Sequence, residues 1–334
     1  MNVFGHVGLD QRMPLYERLW DSQMFAGWHW LRWNFDQIRI ARETYFAQDT
    51  LNALVRCDDS MPGFANAMLD RVASFTGAEM NLADYGQVLR WLGELVVTHH
   101  FVTWQWPVPV TFEHEPAVPP DGMNPEVLIT AKDWRFGVEV KTPDVESFAA
   151  SRHQCETQYL ARVATQNAAP APAGSTVYPR DNPVKDFLQS ANAKFAGFRE
   201  DANFYSALFI VWDDFINEPI SGLLSPSSGL LTPNSFDRED DGTARTYPAV
   251  DAVVLLRQQH QLRLGTANQP PADKRASFLD YGAVDRFPPN AVIPLATGRE
   301  PPDAVVEVLQ AYLPEPTMGA EYVPAELVWW ISPN

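Results

Sequence analysis

Glu126, Glu139 and Lys141 are the side chains of this chain best placed by type and spacing to do chemistry. They punctuate two short apolar runs, Val127-Leu128-Ile129-Thr130 and Phe136-Gly137-Val138-Glu139-Val140-Lys141, which flank a polar turn, Lys132-Asp133-Trp134-Arg135. Such a pattern predicts a β-hairpin. Alternation along a strand puts Glu139 and Lys141 on one face and Val138 and Val140 on the other. Charged groups inside an apolar strand are costly unless they are paired. Two carboxylates beside one ammonium form a seat for a hard divalent cation such as Mg²⁺, with the amine placed to hold a polarised water or a phosphate. The same residues also fit a solvent-facing ion row on an edge strand, which would contribute little stability and no chemistry.

Pro125-Glu126 followed, 13 positions later, by Glu139-Val140-Lys141 resembles the signature of the PD-(D/E)XK nuclease superfamily. The resemblance implies an α/β protein with a restriction-endonuclease-like mixed β-sheet core flanked by helices. It further implies Mg²⁺ (or Mn²⁺) held by Glu126, Glu139 and the main-chain carbonyl of Val140, with Lys141 orienting the attacking water. Glu94, on a preceding helix, would add a further carboxylate, and Gln189, on a following helix, a polar group facing the site. The chain departs from the family pattern in carrying Glu126 where Asp is usual. The implied activity is hydrolysis of nucleic-acid phosphodiester bonds, DNA before RNA, in defence, restriction, repair or a toxin-like role.

The flanking segments supply the elements such a core needs. Leu82, Tyr85, Leu89, Leu92 and Val96 recur at helical spacing and predict a helix over 82–97. Phe101 to Phe112 reads as a first strand, its Pro107 and Pro109 suited to a sheet edge. After Asn182-Pro183, the residues Val184, Phe187, Leu188, Ala191 and Phe195 predict a second helix. Tyr205 to Trp212 and Val250 to Leu256 read as buried neighbouring strands. The likeness covers Leu82 to Leu264, roughly half of the chain. We expect a helical N-terminal region over 1–80, a nuclease-like core over 81–265 and a proline-rich extension over 266–334 that packs on the core.

The N-terminal region is rich in aromatics, and Trp20, Gln23 or Met24, and Trp28 to Leu31 fit one buried helix face. A partner interface or a stacking platform for bases is the functional alternative. Residues 167–175 and 221–241 read as loops, Asp303 to Leu313 as a short amphipathic helix and Leu327 to Ile331 as a last strand. Three further constellations are set aside. His99-His100 adjoins the expected strand, so the rings point apart; His114 between Glu113 and Glu115 reads as an exposed turn; Cys155 beside His153 lacks the separation of a catalytic pair.

Composition constrains the rest. Of 334 residues, 46% are hydrophobic and 20% charged, as in ordinary globular proteins. Cys57 and Cys155 make neither a disulfide framework nor a zinc site. No basic run followed by an apolar stretch opens the chain, and 95–112 is too polar for a membrane span, so a cytoplasmic home is expected. The net charge of −17 opposes binding to a polyanion. Residues 124–200 are neutral, with nine basic and nine acidic side chains, so the deficit lies elsewhere. Nucleic-acid contacts are therefore expected from Arg135, Arg152, Lys185, Lys194 and Arg199. A protein partner or homo-oligomer remains open, as does a catalytically inactive scaffold that keeps the fold and binds a partner through its acidic surface. Few available cations imply weak binding of DNA or RNA that falls steeply with salt, measurable by salt titration of a Lys141→Ala protein. Tight, salt-insensitive binding would contradict this and favour base stacking.

Overall fold

The computed structural model describes residues 7–27, 29–75, 81–116, 124–152, 157–159, 176–177, 179–213, 217–286, 289–315 and 327–329. Five helices come first: α1 (Leu9–Trp20), α2 (Gln23–Ala26), α3 (Arg32–Asp36), α4 (Tyr45–Ser60) and α5 (Phe64–Ser74). Thr44 caps α4 by accepting from the Ala47 amide at 3.1 Å. Asn81 likewise caps the long helix α6 (Leu82–Thr103), accepting from the Asp84 amide at 2.9 Å.

There follow β1 (Thr111–His114), β2 (Val127–Thr130), β3 (Arg135–Lys141), α7 (Val145–Arg152), β4 (Thr157–Tyr159), β5 (Thr176–Val177) and α8 (Val184–Ala196). The chain continues through β6 (Phe204–Trp212), α9 (Asn217–Leu224), β7 (Ala252–Arg257), α10 (Gln259–Thr266), β8 (Asn290–Pro294), α11 (Asp303–Leu309), β9 (Ala311–Tyr312) and β10 (Leu327–Trp329). Seven strands form a mixed sheet in the order β1-β2-β3-β6-β7-β8-β9. β4, β5 and β10 form a separate small sheet.

The expected hairpin is present: β2 and β3 pair antiparallel, Val127 opposite Val138 and Thr130 opposite Arg135. Its turn is tighter than the sequence suggests, because the Ala131 amide donates to the Trp134 carbonyl and Arg135 already belongs to the strand. β3 then runs parallel to β6, and β6 parallel to β7. Alternation divides the sheet between two cores. Phe136, Val138, Val140, Phe209, Val211 and Val254 pack toward α4, α5 and α6. Leu128, Leu208, Ile210, Trp212, Val253 and Leu255 pack toward α8 and α9. The first core is continuous from Tyr16 to Leu309 and so joins the N-terminal helices to the sheet.

Three expectations are corrected. Phe101 to Thr103 form the last turn of α6, and the strand is confined to Thr111–His114. The C-terminal half of α6 is buried on nearly every side, which erases the polar stripe that would mark it as a helix. The tryptophan-rich N-terminal segment is not one helix face: α1 ends at Trp20, and Met24, Leu31 and Phe35 supply the buried contacts. The Arg39 guanidinium lies 4.5 Å from the Trp20 ring centroid and 5.7 Å from that of Phe25, while Trp28 lies outside the described residues. Within 221–241, residues 221–224 are helical. The 167–175 connector also lies outside the described residues, as do residues 330–331 beyond β10. Among the described residues no helix is long and apolar enough to cross a membrane.

Gly137 is where the second core admits no side chain. A Cβ there would lie 2.6 Å from the Phe204 ring and 3.1 Å from that of Phe195, both fully buried. Gly137→Ala should therefore cost about 1–3 kcal/mol of stability by forcing two packed rings apart, a loss readable in urea unfolding. An unchanged urea midpoint would show that the rings can yield.

Candidate active site

A cleft forms where β3 outruns β2. The β2 ladder ends at Val138, whereas the β6 ladder continues to Lys141 opposite Ile210. Residues 139–141 therefore extend past their shorter neighbour, with Glu126 standing just before β2 beside them. α6 walls one side and α8 the other. The cleft encloses about 670 Å³ and is lined by Arg71, Arg90 and Glu94 on the first side, Glu126, Val140 and Lys141 on the floor, and Pro183, Phe187 and Ser190 on the second. Gly86 and Gly93 let α6 lie close against the segment leaving β3, since a Cβ at either would collide with Asp144 or Thr142. That exit is tied down by Gln259, whose buried amide donates to the carbonyls of Pro143 at 2.9 Å and Val211 at 3.0 Å.

Four charged groups meet on the α8 face of the floor. Glu139 is fully buried, and its Oε1 lies 2.8 Å from the Lys141 ammonium. The Lys194 ammonium, reaching down from α8, lies 2.7 Å from Glu139 Oε1, 2.9 Å from Oε2 and 3.4 Å from Glu126 Oε1. Burial works against the Lys194 charge, but Glu139 and Glu126 outweigh it and hold its pKa above the ordinary lysine value. Burial is also the chief reason that the Glu126 carboxyl is pushed up to about 7, reinforced by the negative charges of Glu94 and Glu139. Glu94 behaves differently. Burial alone would raise it, but His114 and Arg71 hold it below the usual carboxylate range. Arg71 pairs directly with Glu94, and His114 Nε2 stands 3.6 Å from the other carboxylate oxygen.

The expected residues Glu126, Val140, Lys141 and Glu94 thus line one cleft, and Glu139 lies buried beneath its floor in contact with Lys141. Gln189 is not among them: its amide donates to Asp237 at 2.8 Å, toward the loop behind α8. The helix face turned to the cleft instead carries Pro183, Phe187, Ser190 and Lys194, spaced by about one turn each. Lys194, expected as a surface contact to nucleic acid, is a member of the buried charge cluster. That helical spacing was the available signal. Arg71 and Arg90 were passed over because their helices announce nothing about which carboxylate they meet.

The remaining basic candidates do not form a phosphate-facing row. Arg135 pairs with Asp201 at 3.6 Å and Arg199 with Asp251 at 2.7 Å, both near the opposite end of the sheet. The length of β3 separates Arg135 from Lys141 by roughly 20 Å. Lys185 pairs with Asp186 at 2.6 Å. The Arg152 side chain lies outside the described ones.

His114, read as an exposed turn residue, is a strand residue packed edge-on against Phe64 at 4.8 Å. His99 and His100 sit on α6 rather than beside a strand. Burial pushes both rings down to about 4, and His100 stacks on Tyr281 at 3.8 Å. Among the described residues no three His, Cys, Asp or Glu side chains are grouped as a ready-made metal cage. No family model, curated protein or solved structure matches the chain.

The raised Glu126 pKa has a consequence for stability. The folded state favours the neutral carboxyl, so this contribution is fully present below the ordinary value of 4.5 and is lost as pH rises through about 7. Wild-type stability in EDTA should therefore fall between about pH 5 and about pH 8 relative to Glu126→Gln. Denaturant titrations of both proteins check this. Parallel pH profiles would show that Glu126 is not perturbed.

Proposed function

We propose that the cleft is the active site of a divalent-metal-dependent nuclease with a restriction-endonuclease-like core, which hydrolyses phosphodiester bonds in DNA or RNA. The observation that carries this reading is the gathering of Glu126, Glu139 and Lys141 at the open end of β3, with Glu94 on the facing helix. The donor set suits Mg²⁺ or Mn²⁺, which take carboxylate oxygens and keep several waters, so that two carboxylates suffice without a protein cage. Burial, reinforced by the charges of Glu94 and Glu139, raises Glu126, and a divalent cation at its carboxyl would favour the charged form again.

When bound, such an ion supplies Lewis-acid charge to the attacking and leaving oxygens. Glu126 and Glu139 would hold it, with the Val140 carbonyl as a further oxygen donor. Lys141, partly exposed at the cleft floor, would orient the attacking water and balance charge as it builds on the phosphate oxygens. Arg90, mostly exposed on the α6 wall and 4.0 Å from Asp144, offers a second cation to the substrate. The acidic remainder of the chain leaves sequence reading and targeting to other contacts or to a partner.

A second reading rests on the completeness of the ion cluster. Glu139 already has two lysine amines within 3 Å, so it is balanced without a metal. A chain that kept the fold and lost the chemistry would bind a protein partner through its acidic surface. The decisive assay is cleavage of plasmid, linear and single-stranded DNA and of RNA in Mg²⁺ or Mn²⁺ against EDTA. Lys141→Met and Glu139→Gln should each lower the rate by about 10²–10³-fold with unchanged circular dichroism. Full activity in well-folded variants would move the site elsewhere. Inactivity of the wild type on both polymers would establish the second reading.

A further inference from the structure

We propose that Lys194 is the chain's own stand-in for the divalent cation: its ammonium occupies the place between Glu126 and Glu139 and is displaced into the cleft when a metal ion binds there. The inference rests on the metal-dependent reading above. It starts from the crowding of Glu139 by ammonium groups, each of its oxygens lying within ion-pair distance of at least one. Oε1 lies 2.8 Å from Lys141 and 2.7 Å from Lys194, and Oε2 lies 2.9 Å from Lys194. A divalent cation that reaches Glu139 therefore meets the repulsion of two ammonium groups already beside it.

The two lysines are not equivalent. Lys141 follows Glu139 by two residues on the same strand and, among the described residues, has that carboxylate alone within ion-pair distance. Lys194 is the group that touches both Glu139 and Glu126, at 3.4 Å from the latter, which makes it the bridging positive charge. It also has a way out. Its side chain is 22% exposed, and it descends from the α8 face whose Phe187 and Ser190 line the cleft. Four flexible methylenes let a lysine amine move several ångströms without backbone change. An ammonium and a divalent ion placed between the same two carboxylates in a partly dry site repel each other strongly, which favours release of the bridging amine.

Lys194 therefore keeps Glu126 and Glu139 together while the metal is away, and the arriving ion releases it toward the space where a phosphate would lie. Its position is that of a positioning residue and gate, with Lys141 left to the water. Removing the amine should have opposite effects on the two states: the metal-free protein becomes less stable, and the metal binds more tightly. A purely structural lysine would lower both.

The test is direct Mn²⁺ binding, read from the loss of the free-ion signal in electron paramagnetic resonance, on wild type, Lys194→Met and Lys194→Arg. Lys194→Met is expected to bind Mn²⁺ roughly 10-fold tighter than wild type, and Lys194→Arg no tighter than wild type. The Mn²⁺-dependent rise in Tm should likewise be larger for Lys194→Met. Equal or weaker Mn²⁺ binding by Lys194→Met beside a wild type that binds would overturn the gate and leave the nuclease reading intact. Tight binding by Lys194→Met without cleavage by the wild type would support the gate and remove the nuclease. No binding by any of the three would remove both. Should Lys194→Met not fold, wild-type crystals soaked in Mn²⁺ decide the matter through the anomalous signal. An ion between Glu126 and Glu139 with the Lys194 amine beyond ion-pair distance supports the gate. The amine still on both carboxylates, or no ion there, overturns it.

Discussion

The structure around the cleft depends on one constraint: a carboxylate, Glu139, is fully buried in β3, an interior strand of a seven-stranded sheet. An isolated ion there would be prohibitively expensive, so the fold must bring compensating charge to it. Lys141 arrives by strand alternation. Lys194 arrives because α8 packs Leu188, Ala191 and Phe195 onto the sheet and so turns its next face toward the gap beside β2. Glu126 arrives through the hairpin register. The early end of β2 is what keeps this cluster in contact with solvent rather than sealed beneath a longer ladder.

The opposite face obeys a separate arrangement. Glu94 projects from the buried middle of α6, and is held by Arg71 from α5 and His114 from β1. α5 and α6 are thereby tied to the sheet edge at the same place where the cleft opens. Two ion clusters, one on each side of the β3 exit, share a single electrostatic field: Glu126 feels Glu94 as well as Glu139. Arg135 and Arg199, by contrast, serve carboxylates at the far end of the strands. Positive charge in the neutral middle segment is thus spent on internal pairing at both ends of the sheet.

How much of this was legible follows from what each residue's environment preserves. α8 could be read because one of its faces is apolar, and the hairpin, β6 and β7 because they are short apolar runs whose boundaries carry proline, charge or turn residues. The end of α6 could not, because Val97 to Phe101 is buried all round and carries the aromatic and β-branched content of a strand. Burial overrode propensity. Tertiary context likewise separated Gln189 from Lys194. Both lie on α8, and only the helix rotation fixed by Leu188 and Phe195 shows which one meets Glu139. His114 failed for a similar reason. Its neighbours Glu113 and Glu115 suggest exposure, but alternation turns His114 inward against Phe64.

The burial of charge also bears on the two functional readings. Buried ion pairs are weak sources of stability, and well-packed apolar residues of similar volume often serve a core as well or better. A scaffold retained only for its shape would gain nothing from Glu126, Glu139, Lys141 and Lys194 in place of hydrophobic side chains. The cluster carries a pH-sensitive liability at Glu126, and its loss on one partner's removal would be severe. Such an arrangement is understandable where the charges act on something that enters from outside, and two members of the cluster, Glu126 and Lys141, line an open cleft.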